Sequence, residues 1–250
     1  MSNPVLNNAV IKNYVGQENA LEVMEMSGVV LKTFFMFSVI LLTSFYMFSL
    51  VFQGFFDKVN LFQNVGMIGG LITAFVITFS KNSKIIAPLS ILYSVFEGLF
   101  IGGISAYLAV KLGTSLVFNA VFATFGVLFV MLFLYSTKVI KCTEKFRGTI
   151  LASTFGVLVI YLVSILVSLF NPQASSFLMS NSPVGIGFSL LVSAIAAFNL
   201  IVDFDTIERA KNAGVGKDFE WYGAFSLMVT LIWLYVEILN LLVKLNSRNN

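Results

Sequence analysis

Long uninterrupted apolar runs alternate along the chain with short connections that hold most of the charged residues. A helix rises 1.5 Å per residue and a bilayer's hydrocarbon core is about 30 Å thick, so one crossing needs about 20 apolar residues. By that measure the pattern predicts seven spans, at Val29–Phe52, Val65–Ser80, Ile85–Val110, Leu116–Ser136, Gly148–Phe170, Pro183–Asp205 and Trp221–Leu245. The runs are continuous and lack the period-two alternation of a membrane barrel, so the spans are helices. The second is short and Gly-rich, and is expected to be tilted or partly shielded. The expected organisation is an N-terminal segment over 1–28, a seven-helix transmembrane domain over 29–245 and a short tail over 246–250.

Composition agrees with this all-α membrane reading. Of 250 residues, 58% are hydrophobic, 15% aromatic and only 11% charged. A soluble domain carries about 25% charged residues, because its surface must face water. No basic patch is interleaved with exposed aromatics, which argues against a nucleic-acid partner. The single cysteine, Cys142, excludes an intrachain disulfide. Residues 1–28 hold Glu18, Glu22 and Glu25 and no early apolar run, so no cleavable signal peptide is expected and the first span doubles as the targeting signal.

Cationic residues orient the bundle. With seven alternating spans, the N-terminal side receives Lys12, Lys32, Lys81, Lys84, Lys138, Lys141, Lys145, Arg147, Arg209, Lys211 and Lys217. The opposite side receives Lys58, Lys111, Lys244 and Arg248, a split of 11 to 4. The N-terminus is therefore expected in the cytoplasm and the C-terminus outside. Small residues recur at helix spacing as Gly66–Gly70, Gly98–Gly102 and Ser189–Ser193, a pattern that lets helices approach closely in lipid.

The informative polar residues are acids that a span forces into or near the hydrocarbon. A carboxylate at mid-bilayer costs at least ~2.5–3.5 kcal/mol, so such acids face the bundle interior and usually serve function. Glu97 sits in the middle of the third span, Asp203 and Asp205 at the cytoplasmic end of the sixth, and Glu237 in the outer half of the seventh. The plain alternatives are a solvated helix end for Asp203 and Asp205, and packing between helices for Glu237 and Glu97. On the seventh span Ser226, Thr230, Glu237, Asn240 and Lys244 recur at i+3/i+4 spacing. A lipid-facing helix would not carry such a stripe, so the seventh helix is expected to be the enclosed one. Two carboxyls meeting away from water cannot easily both ionise, so they share a proton. Once both are charged they attract a hard cation, for which oxygen ligands suit Ca²⁺.

The run Asp203-Phe-Asp205-Thr-Ile-Glu-Arg-Ala, followed by Trp-Leu-Tyr-Val-Glu237-Ile-Leu-Asn240-Leu-Leu, resembles the Bax inhibitor-1/YccA family. The run Tyr-Ser-Val-Phe-Glu97-Gly-Leu-Phe-Ile-Gly-Gly-Ile-Ser and the Ser-Asn-Pro start are similar to its bacterial branch. The resemblance implies seven helices with the last enclosed by the other six, in a bacterial inner membrane. It also implies a pH-dependent Ca²⁺ leak controlled by an acidic pair, with Asp203 as the first acid and Glu237 as the second. In that role the two would hold Ca²⁺ transiently, with no bound cofactor, supported by Asn240 and Thr230. Treated as straight rods, the helices put Asp203 about 16 Å from a turn near Gly214 and Glu237 about 28 Å from a start near Asp218. Pairing them needs a kink, or a Gly214–Phe219 segment that rises along the bundle. Otherwise Glu97 becomes the partner of Glu237.

A second reading, also implied by the bacterial relatives, is a non-enzymatic partner that modulates a membrane protease. A seven-helix photoreceptor is excluded, because its Schiff-base lysine belongs mid-way along the last helix and Lys244 lies at the end. The chain has no His and no Gly-x-Gly-Asp, which removes Ser-His dyads, His-based metalloprotease sites and intramembrane aspartyl protease sites.

Overall fold

The computed structural model describes residues 23–80, 82–170 and 180–249. Lys12, Glu18, Glu22 and Lys81 lie outside them. The described residues form seven helices and no strand: α1 Met26–Phe52, α2 Phe56–Phe79, α3 Ser83–Leu112, α4 Thr114–Ser136, α5 Glu144–Phe170, α6 Pro183–Asn212 and α7 Phe219–Asn249. All seven are long and apolar enough to cross a membrane. Large side chains such as Phe45, Phe122 and Phe155 stay exposed on them, as lipid-facing residues do.

Two boundaries differ from those expected by more than four residues. The second helix begins nine residues early, at Phe56, and is not short. Its added turns hold Asp57, Asn60, Gln63 and Asn64, polar residues that a hydropathy window rejects but a helix end tolerates. Asp57 in the first turn also complements the helix dipole. The sixth helix continues seven residues past Asp205. It stops at a Schellman turn, in which Gly214 N–H donates to Lys211 O and Val215 N–H to Ala210 O. Gly214 takes φ +68°, a conformation open to glycine at little cost. Val215 and Ala210 are fully buried there and supply the apolar contact such a cap carries.

The chain divides into two compact units. One is built on Thr114–Phe204 with Thr230–Asn250, the other on the described residues of Asn3–Gly113 with Asp205–Val229. In the second unit, glycines bring helices into backbone contact. A Cβ on Gly66 would lie 2.5 Å from Phe96 O, and one on Gly102 would lie 2.6 Å from Ser44 Cα. Ser44 donates to Gly98 O at 3.1 Å across the same seam, as expected where small residues replace the hydrophobic effect as the packing device. Met47, Leu50, Val51, Val59 and Ala106 form its apolar cluster. In the first unit, Cys142 is buried with Ile150, Ile201 and Val202. Burial rises along the chain's last two helices, where half of the apolar window is buried in α6 and in α7, against a third or less elsewhere.

Candidate functional site

The first unit carries a polar column along one face of α7. Thr230, Glu237 and Lys244 are spaced seven residues apart, 20° short of two full turns at each step, so all three point the same way. All three are buried. Asn240 is the exception to the expected stripe. It stands 60° from Glu237 around the helix and is exposed, so it does not support the site.

At the first level of the column is Asp203. It is completely buried, with seven residues of α6 beyond Asp205, so it is not a solvated helix end. Thr230 donates its hydroxyl to Asp203 Oδ2 at 2.5 Å. Two turns along α7, about 10 Å on, Glu237 accepts at Oε1 from the Tyr161 hydroxyl at 2.7 Å and from the Trp233 indole N–H at 3.2 Å. Trp233 lies one turn before Glu237, so its indole serves the carboxylate rather than merely filling space. A further two turns along, Lys244 donates to Gly185 O at 3.1 Å and to Ser189 Oγ at 2.7 Å. Ser189, expected as a packing residue, is therefore a ligand of the buried ammonium. Nearby, Asn199 donates to Thr154 Oγ1 at 2.7 Å and to Ile195 O at 2.9 Å.

Asp203 on α6 thus meets α7 at Thr230, two turns from Glu237, and the two acids share no hydrogen bond. Glu237's partners are a phenol and an indole, and Asp203 meets a hydroxyl. Each of these donors suits a carboxylate, since an ionised carboxyl only accepts. The arrangement is two acids at two levels rather than one proton-sharing pair.

The other expected acids belong to the second unit. Asp205 forms an ion pair with Arg209 at 2.7 Å, one helical turn away and half open to solvent. Glu97 is partly buried, hydrogen-bonded with Tyr93 and packed over Gly70. The most buried acid of this unit was not expected. Glu220, 1% exposed, forms an ion pair with Lys32 and accepts the Glu25 N–H at 2.9 Å. Its carboxylate lies against Gly28, a contact that a side chain there would block. Beside it Met24 N–H donates to Val215 O at 2.9 Å, Lys32 stands 5.6 Å from the Trp221 ring centre, and Trp221 meets Phe35 edge-on. Lys32 and Trp221, expected as an orientation charge and an interfacial anchor, are part of this junction. The only sequence signal was Lys32 in the second turn of α1, and a charge so near a helix end is too ordinary to mark a junction.

Among the described residues no three Asp, Glu or Cys side chains gather as a resident metal site requires. A comparison with curated proteins gives no match. A family model described as Bax inhibitor 1 like matches residues 3–247. That match spans nearly the whole length, and the chain, a multi-pass helical protein by its seven apolar helices, belongs to the Bax inhibitor 1-like family.

Proposed function

We propose that this protein is a pH-sensitive cation leak, permeable to Ca²⁺, in which protonation of buried carboxyls closes the path. The observation that carries the reading is the pair of buried acids along one face of α7, Asp203 reaching it from α6 at the level of Thr230 and Glu237 on α7 itself two turns further on. A buried acid is expensive to keep in a membrane helix, and two set two turns apart along α7 define a line along which a cation can step. Ionised, each offers hard oxygens to a dehydrating cation. Protonated, each loses the charge that offsets the ion's desolvation, and passage stops. Flux therefore rises with pH.

The donors around each acid favour this use. Thr230 orients the Asp203 carboxyl, and Tyr161 and Trp233 orient that of Glu237, so each presents its oxygens in a fixed position. The offset levels make two successive steps instead of a single gate. The Lys and Arg distribution supports a cytoplasmic N-terminus and an outside C-terminus, and the sequence resemblance supports a bacterial inner membrane.

Ca²⁺ flux into liposomes holding the purified protein tests the reading. Signal above protein-free vesicles is expected, reduced in Asp203→Asn and in Glu237→Gln. Flux equal to protein-free vesicles, or unchanged in both variants, would remove the leak and leave a membrane protein acting through partners.

A further inference from the structure

We infer that the α4–α5 connection is a docking surface for anionic phospholipid headgroups, built from Lys138, Lys141 and Lys145 around an exposed Val139. It stands apart from the cation-leak reading and needs no conduction. Seven residues, 137–143, join two helices that can cross the membrane, so they lie where hydrocarbon gives way to headgroups. The stretch 137–147 holds four cations and a single acid, Glu144. Arg147 is buried, whereas Lys138, Lys141 and Lys145 are exposed. None of these three forms an ion pair or a side-chain hydrogen bond with another described residue. By contrast, the exposed Lys58 and Lys111 lie over the rings of Phe55 and Tyr107, 4.6 and 5.0 Å from their centres.

The backbone fixes this patch. Lys138 N–H donates to Tyr135 O at 3.0 Å and Ile140 N–H to Leu134 O at 3.1 Å, and further on the Thr143 hydroxyl accepts the Phe146 N–H at 3.2 Å. Ile140 and Cys142 pack into the apolar cluster of this unit, which leaves the alternate residues Val139 and Lys141 exposed, Val139 at 68%. Lys138 adds a second sign. It takes φ +59° and is the one non-glycine at positive φ among the described residues, where Gly54, Gly113 and Gly214 fill the other such positions. A lysine in that conformation costs stability that glycine would spare. A charge that only oriented the bundle could sit one residue away without strain. Headgroup phosphates supply the counter-charge that the fold leaves out, and Val139 enters the apolar boundary beneath them.

Native mass spectrometry of the full chain, purified with an equal mixture of phosphatidylglycerol and phosphatidylcholine, tests this. The wild type is expected to retain the anionic lipid in preference, and Lys141→Gln and Lys145→Gln each to cut that preference about fivefold. Lys138→Gly should cut it likewise and yet raise the melting temperature in detergent by about 2 °C, because the strain leaves with the charge. Lys138→Arg, Lys141→Arg and Lys145→Arg together should keep the preference, as should Lys58→Gln with Lys111→Gln. No preference in the wild type, or one that survives glutamine at all three positions, would overturn the inference. An equal loss on replacing Lys58 and Lys111 would do the same, since it would mark an effect of net charge. So would displacement of the lipid by inorganic phosphate but not by chloride of equal ionic strength, which marks a site for the free anion. A lower melting temperature in Lys138→Gly would remove Lys138 from the surface.

Discussion

The two units of this protein solve the problem of a buried acid in opposite ways. In the second unit Glu220 meets the ammonium of Lys32 directly, with the Glu25 N–H completing its shell. In the first unit Glu237 accepts from a phenol and an indole, both neutral, and Asp203 accepts from the Thr230 hydroxyl. A direct ion pair is electrically complete and gains nothing from a proton or a metal ion. A carboxylate held by neutral donors keeps its charge available. The difference separates an acid that fastens the ends of helices from acids that can act.

This contrast is broken most severely at the fastening. Lys32→Met leaves Glu220 buried without its counter-charge, and thermal unfolding in detergent should show a loss of about 3 kcal/mol. Lys32→Met combined with Glu220→Gln should recover part of it, because no lone charge is then buried. Next comes Asp203→Asn, expected to lower cation flux about tenfold, a change of ~1.4 kcal/mol in barrier, with little effect on melting. Tyr161→Phe removes the shorter of Glu237's two hydrogen bonds and should cost about 1 kcal/mol of stability, more than Trp233→Phe at its longer distance. The smallest effect is expected at Asn240→Ala, whose exposed side chain should leave stability within about 0.5 kcal/mol and flux unchanged.

How much of this was legible follows from which physical constraint was in force. The seven spans were readable because hydrocarbon thickness demands long apolar runs. Their ends were not, because Asp57 to Asn64 and Thr206 to Asn212 are polar enough to end a run yet remain helical. Asp203 and Glu237 stood out as acids in apolar surroundings, and the α7 stripe gave Thr230 and Lys244 beside them. Asn240 was misplaced on that stripe, since i+3 spacing tolerates a 60° error that decides between inside and outside. Tyr161 could not be found from sequence. It lies in α5, a helix apolar on all sides, where nothing fixes which face turns inward. The junction of Lys32 and Glu220 was hidden for another reason. Both residues sit near helix ends, where charge is ordinary, and 188 residues separate them.

The central claim is that ionised Asp203 and Glu237 carry the cation, and the pH profile of flux tests it most directly. Ca²⁺ entry into liposomes, measured from about pH 5 to 8, should rise with pH in the wild type. It should be low and level across that range in the protein bearing both Asp203→Asn and Glu237→Gln. A wild-type profile that is flat, or a double variant that reproduces the wild-type rise, would contradict the account.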